Sequence, residues 1–209
     1  INFGITNAGA DTCDITNISV TEITPSDHGG LVVGATYVDK QPTIPQLGMM
    51  DWAKGSNLLE YSQDFSQWAT TNYTVQSNVS EAPNGSFTAS TLTNPDGLNG
   101  FVKYTVNVDA SKSYTFSFYA KIGTASDVKY SVYDNTNTSD IIPKTSYYSQ
   151  LNSSTFTKVS ISFNTNIGTS SVGVYPLRDN GAQGSVVVWG AQLEESSSAG
   201  NYILTDGAA

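Results

Sequence analysis

Val186-Val187-Val188-Trp189-Gly190-Ala191-Gln192-Leu193-Glu194-Glu195 is the stretch whose reading decides the fold. Three consecutive β-branched valines fit a pleated surface. Strict alternation through the stretch places Val187, Trp189, Ala191 and Leu193 on one face and Val188, Gly190 and Gln192 on the other. One face is fully apolar, while the other begins apolar and ends polar. That is the pattern of a central strand in a sandwich whose outer face is partly covered. The stretch lies close to the C-terminal end of a 209-residue sequence, so its strand neighbours must come from far upstream.

Working outward from it, strand-like runs and turn signals alternate from Leu58 onward at the spacing of a β-sandwich. The expected strands are Leu58–Ser62, Tyr73–Ser80, Phe87–Thr93, Gly100–Val108, Ser113–Ile122, Asp127–Asp134, Ile141–Gln150, Phe156–Asn164, Ser171–Leu177 and Ser185–Glu194. Pro83-Asn84-Gly85, Pro95-Asp96-Gly97 and Asn180-Gly181 supply turns between them. Asp64–Trp68 reads as a brief helical turn, and no segment sustains a helical period. The expectation is an all-β, antiparallel two-sheet sandwich of jelly-roll type over residues 57–209. Its core is expected to include Leu58, Phe65, Trp68, Phe116, Phe118, Val128, Val132, Val159, Ile161, Phe163, Val172, Val174, Trp189 and Leu193.

Upstream, Cys13 to Ile23 alternates through Thr16, Ile18 and Val20, and it aligns loosely with the final strand: Ile15 on Val188, Ile18 on Ala191, Val20 on Leu193. Residues 1–23 are therefore read as the closing strand of a preceding β module. The absence of an initiator Met at Ile1 agrees with a processed chain or part of a longer one. Residues 24–56 carry Pro25, Gly29-Gly30, Pro42, Pro45 and Gly48 around a strand-like Leu31–Val38. They read as a connector, with Met49, Met50 and Trp52 apolar enough to dock.

Composition excludes several function classes. A net charge of −9 leaves nothing to neutralise nucleic-acid phosphates. No apolar run is long enough for a membrane span, and the lone Cys13 allows no intrachain disulfide. The single histidine, His28, sits in a Gly-rich connector, a poor place for a general base. No zinc spacing and no Ser-His-Asp set can be assembled. Glu194 and Glu195 are adjacent on a strand and face opposite ways, which is wrong for paired acid and base. Asp127, Asp134 and Asp140 flank strands, where solvated turn carboxylates are expected. No catalytic set is expected from these residues.

Three ordered stretches carry a resemblance. They are Asn57-Leu58-Leu59-Glu60-Tyr61-Ser62-Gln63-Asp64-Phe65-Ser66-Gln67-Trp68, then Tyr114-Thr115-Phe116-Ser117-Phe118-Tyr119-Ala120-Lys121-Ile122-Gly123, and finally Trp189–Glu195 followed by Asn201-Tyr202-Ile203-Leu204-Thr205. Together they resemble the carbohydrate-binding-module-like jelly rolls of tailed-bacteriophage virion proteins, found on tail fibres and capsid surfaces. The resemblance implies a non-enzymatic virion structural protein with a host-glycan-binding role. The alternative is a purely structural β spacer or capsid decoration module with no glycan ligand. It also implies assembly with other virion proteins and with itself, a trimer being one form, and a virion location after assembly in the bacterial cytoplasm. No cofactor is expected. Distant relatives hold a structural calcium through carboxylates at positions that correspond here to Ser66 and Trp189-Gly190, so that metal is not expected either.

Aromatic placement supplies the candidate ligand residues. Alternation points Tyr114, Phe116 and Phe118 inward and leaves Tyr119 outward. By the same reading Tyr133 and Tyr175 face out, opposite Val132 and Val174. In Tyr147-Tyr148 the two rings face opposite ways, which leaves one for a ligand. Flat rings beside hydrogen-bonding groups suit a pyranose, whose C–H face stacks while its hydroxyls are fixed by polar neighbours. Tyr119, Tyr133, Tyr175 and Tyr147 are thus the candidate glycan-contacting residues, held by no metal. The overall negative charge favours neutral or zwitterionic host polysaccharides.

Overall fold

The sandwich follows from ten strands that divide five and five between two sheets, the chain crossing repeatedly from one to the other. The computed structural model describes residues 55–178 and 183–208, together with the backbone of four short strands nearer the N-terminus. The chain divides into two units, Ile1–Ala53 and Lys54–Ala209. In the first, β1 (Ile5–Asn7) pairs antiparallel with β2 (Cys13–Ile15), and β3 (Thr36–Val38) with β4 (Gln41–Thr43). The remainder of the expected closing strand beyond Ile15, the run Leu31–Ala35, His28, Met49, Met50 and Trp52 lie outside the described residues.

In the second unit the strands are β5 (Ala69–Thr71), β6 (Thr74–Ser80), β7 (Ala89–Asn94), β8 (Phe101–Asn107) and β9 (Ser113–Ile122). They continue as β10 (Lys129–Asp134), β11 (Ser139–Ser146), β12 (Thr157–Asn164), β13 (Ser171–Arg178) and β14 (Gly184–Glu194). One five-stranded sheet has the order β11-β10-β13-β8-β5, the other β12-β9-β14-β7-β6. All pairings are antiparallel. The protein is an all-β two-sheet sandwich, and its only described helical elements are single 3-10 turns at Phe65–Gln67 and Tyr148–Gln150.

Period-two alternation builds the core. On β9, Tyr114, Phe116 and Phe118 are buried against Val159, Ile161 and Phe163 of β12, residue opposite residue in register. Across the sandwich they meet the apolar faces of β8, β10 and β13, including Val102, Val132, Val172, Val174 and Leu177. Burial of a Leu, Val or Phe side chain contributes about 1.5–3 kcal/mol. This layer therefore dominates the stability of a chain that has few charges to pair.

Two sequence expectations change. Leu58–Ser62 is not a strand but a ribbon held along β14. The Leu58 N–H donates to the Leu193 carbonyl at 2.8 Å and the Ala191 N–H donates to the Ser62 carbonyl at 2.8 Å. It takes over the edge of β14 that β7 leaves after Val188. Leu58 is accordingly only partly buried.

The second change lies inside β14. The strand holds a bulge between Trp189 and Gln192, where Gly190 takes φ of 64°, a left-handed conformation that suits a residue without Cβ. The bulge shifts the phase of alternation. Val186 and Val188 face the core before it, and Ala191 and Leu193 after it. Val187 and Trp189, expected on the core face, lie on the outside of the second sheet in a separate cluster with Ala82, Ala89, Tyr119, Phe156 and Tyr202. A one-residue insertion reverses which side chains point inward.

Candidate functional site: an aromatic and cationic sheet face

The four tyrosines singled out by sequence do not meet in one place. Tyr147 belongs to the core. β11 ends at Ser146, and the turn that follows drives the next ring between the sheets, where it is 0% exposed. Its hydroxyl donates to the Pro176 carbonyl at 2.9 Å. The ring meets Phe118 edge-on, 5.5 Å between centroids, and stacks on Tyr130 at 5.8 Å. Burial, with the neighbouring Tyr73 and Asp127, pushes the phenol well above its ordinary pKa. Its partner in the sequence doublet, Tyr148, is also packed against the core. No ligand reaches Tyr147 in this arrangement.

Tyr119 lies on the outside of the second sheet. Its ring packs on Trp189 at 5.4 Å, and the Lys158 ammonium stands 5.9 Å from its centroid. A C-terminal strap runs across this face. Thr115 Oγ1 donates to the Ser196 carbonyl, Ser162 Oγ to the Ser197 carbonyl, and Lys158 Nζ to the Gly200 carbonyl at 2.8 Å. Tyr202 then covers Trp189 with ring centroids 4.4 Å apart. Thr115 and Ser117, outward by alternation, are fully buried beneath it. Tyr119 thus lies beside Trp189 and Lys158, two side chains that meet this strap.

Tyr133 and Tyr175 share the outer face of the first sheet. On neighbouring strands, Tyr133 pairs with Gly173 and Ser131 with Tyr175. Because residue 173 is Gly, the Tyr175 ring lies flat over it: a Cβ there would come within 2.9 Å of the ring. Arg178, two residues past a bulge in β13, turns its guanidinium between the two tyrosines. It sits 5.0 Å from the Tyr133 centroid and 4.8 Å from that of Tyr175. The same guanidinium pairs with Asp140 of β11 and donates to Ser131 Oγ at 3.2 Å. On the other flank Phe101 of β8 meets Tyr175 edge-on at 5.8 Å, and the Lys103 ammonium hangs 5.8 Å and 6.0 Å from the Phe101 and Tyr175 centroids. The result is a strip, Tyr133–Arg178–Tyr175–Phe101, flanked by Lys103, Ser131 and Asp140.

Within that strip Tyr175 is 6% exposed, so it is a foundation and not a contact surface. The half-exposed side chains are Tyr133, Phe101, Lys103 and Arg178. Alternation identified Tyr133 and Tyr175, yet Phe101, Lys103 and Arg178 went unnoticed. Phe101 opens its strand beside a glycine, and Arg178 follows a bulge; only cross-strand register brings them together.

The carboxylates are accounted for by structure. Glu194 is buried and accepts the Gly200 N–H at 2.8 Å, while Glu195 pairs with Lys112 at 3.0 Å on the surface. Asp127 pairs with Lys129. Asp134, expected to be a solvated turn carboxylate, is instead fully buried. Burial opposes its charge, but donors from Thr169, Asn137 and Thr136 outweigh that and hold the carboxyl below its ordinary pKa. The Ser66 hydroxyl donates to Asp64 Oδ1 at 2.6 Å. Among the described residues no group of three or more His, Cys, Asp or Glu side chains could hold a metal ion, and no helix is long and apolar enough to cross a membrane.

No family model matches this sequence, and no curated protein sequence matches it. Solved structures do. The enzymatically active domain of tailspike protein 4 from bacteriophage CBA120 superposes with a TM-score of 0.50 at 15% identity, covering 66% of this chain and 21% of the tailspike chain. The N-terminal CBM22-1–CBM22-2 tandem of Xyn10C from Paenibacillus barcinonensis gives a TM-score of 0.50 at 14% identity, covering 70% of this chain and 48% of that one. The chain thus spans about a fifth and about half of these two structures. At such identities the likeness is one of fold, a β-sandwich shared with part of a phage tailspike and with carbohydrate-binding modules.

Proposed function

We propose that residues 57–209 form a non-enzymatic saccharide-binding β-sandwich carried by a bacteriophage virion protein, with the outer face of the β11-β10-β13-β8-β5 sheet as its binding surface. One observation carries the reading. Two half-exposed rings, Tyr133 and Phe101, flank a cation and hydrogen-bonding side chains on a sheet face, with Tyr175 fixed beneath them. Rings of this kind cover the C–H face of a pyranose, and Lys103, Arg178 and Asp140 supply donors and acceptors for its hydroxyls, while the buried Ser131 holds Arg178 in place. The virion assignment draws on the sequence resemblance and agrees with a phage tailspike among the structural neighbours. A tail fibre and a capsid surface would both use such a module, and repeated copies would turn a weak single site into firm attachment.

The test presents the chain multivalently to host surface polysaccharide and to whole cells. Wild type and Tyr119→Ala are expected to bind alike, since Tyr119 lies on the other sheet, whereas Tyr133→Ala and Phe101→Ala lose binding while remaining folded. A chelator should change nothing. Immunogold electron microscopy of purified particles tests the location, and a protein found in infected cells but absent from virions sinks that part. The near-complete burial of Tyr175 favours a second reading, a structural spacer in which the strip only stiffens the sheet. That reading requires no glycan binding even by the multimer.

A further inference from the structure

The charge of the whole chain and the charge of this face have different signs. The sequence holds 18 acidic and only nine basic residues. Four of those nine, Lys103, Lys129, Lys144 and Arg178, lie on strands of the first sheet. Two of them are neutralised on the spot: Arg178 by Asp140, and Lys129 by Asp127 at 3.4 Å. Lys103 is not. Among the described residues no carboxylate lies within ion-pair distance of its ammonium, which touches only the Phe101 and Tyr175 rings, at 5.8 Å and 6.0 Å from their centroids. Those distances are at the outer limit of a cation–π contact, worth little at a half-exposed site. Its three donors stand beside an aromatic ring, and no carboxylate among the described residues meets them.

We propose that this face takes an acidic saccharide, a pyranose bearing a carboxylate, and that Lys103 is the residue that selects for the acid. The inference rests on the reading of the face as a saccharide surface. The Lys103 ammonium stands over the Phe101 ring, 5.8 Å from its centroid, so a sugar approaching that ring meets the ammonium, and an exocyclic carboxylate on the sugar would take its charge. The Arg178 fork is already closed by Asp140 and Ser131, so it orients rings and contributes no spare charge. Lys103, unpaired with any carboxylate among the described residues, matches one carboxylate per sugar. The negative remainder of the molecule does not cancel this match, because ionic fields are screened within about 8–10 Å at ordinary salt and the nearest charges decide.

The test measures binding of the full chain to polygalacturonate, to the same polymer after carboxyl reduction, and to a phosphodiester-linked glycerol polymer. Wild type should prefer polygalacturonate to its reduced form by about tenfold, the size of one charge-assisted hydrogen bond, and the preference should shrink with added salt. Lys103→Gln should abolish the preference but still bind the reduced polymer, and Lys103→Arg should retain it. Tyr133→Ala should weaken both polymers equally. Equal binding of the two polymers by wild type, an unchanged preference in Lys103→Gln, or tighter binding of the phosphodiester polymer would each overturn the acidic-sugar assignment and leave the saccharide face standing. Failure of wild type to bind any of the polymers, with Tyr133→Ala indistinguishable from it on host cells as well, overturns both.

Discussion

The Asn57 side chain reads the backbone of Leu193, more than 130 residues away in sequence: its Oδ1 accepts the Leu193 N–H at 3.0 Å. The same oxygen accepts the Leu59 N–H, and its Nδ2 donates to the carbonyls of Ala191 and Ile203 at 3.0 Å and 3.1 Å. Asn57 is 1% exposed and has every one of these bonds satisfied. It joins the entering ribbon, the last strand and the C-terminal strap at one point.

Asn57→Ala should therefore be among the most damaging single changes outside the apolar core. It removes four bonds and leaves buried backbone groups without partners, for a loss of about 2–3 kcal/mol. Urea denaturation followed by tryptophan fluorescence measures it. A loss below 0.5 kcal/mol, of the size typical of a surface change, would show that water replaces the side chain.

Gly190 and Trp189 test the bulge. Gly190→Ala forces a Cβ onto φ of 64° and within 3.3 Å of the Tyr202 ring, so a cost of about 1–2 kcal/mol is expected. Trp189→Ala should cost about 3 kcal/mol and expose the strap to proteolysis. Phe116→Ala, in the sandwich core itself, should cost about 3–5 kcal/mol without selectively freeing that segment. Limited proteolysis of the two variants at matched stability distinguishes them.

Asp134 sets an acid limit on the fold. Its carboxyl titrates lower in the folded chain than in the unfolded one, despite burial, because Thr169, Asn137 and Thr136 donate to the charged form. Asp64 behaves likewise: burial works against it, and donors from Ser66, Gln67 and Ser77 more than offset that. The stabilisation is complete above the unfolded value of about 4 and is lost as the pH falls through the lower folded values. Denaturation midpoints should stay level from pH 7 to pH 5 and fall below pH 4. Asp134→Asn should be less stable at pH 7 and show a shallower acid slope. An equal slope in the variant would remove Asp134 from the account.

Tyr147→Phe separates core from ligand surface. Removing the hydroxyl leaves the buried Pro176 carbonyl without its donor, a loss of about 1–2 kcal/mol, while saccharide binding should be unchanged. Weaker binding at equal stability would return Tyr147 to the list of contacts.

How far the sequence could be read depended on how local each signal was. Ser113–Ile122 is β9 to the residue, because ten alternating positions with three aromatic rings on one side leave no other register. Phe65–Gln67 is the brief turn expected there, capped by Asp64. Alternation failed where the backbone departs from it: the bulge at Gly190 moved Trp189 to the outside, and the end of β11 turned Tyr147 inward. β5 (Ala69–Thr71) was not foreseen, since three exposed polar-edge residues carry no periodicity. Asp134 looked like a turn residue because its four donors come from Thr136, Asn137 and Thr169 and leave no trace in composition. The strip of Tyr133, Arg178, Tyr175 and Phe101 draws on three strands, and sequence spacing does not record which strands become neighbours.

The strap and the ribbon also decide how this unit answers to tension. Tyr61 and Asp206 pair antiparallel, with Ser62 bonded to Thr205 and the Gly207 N–H to the Glu60 carbonyl at 2.8 Å. The ribbon and the strap thus run in opposite directions at one edge of the sandwich, and a pull applied to both parts these bonds in succession instead of loading them all at once. A module built this way yields at its seam while the ten-stranded body behind it keeps its shape.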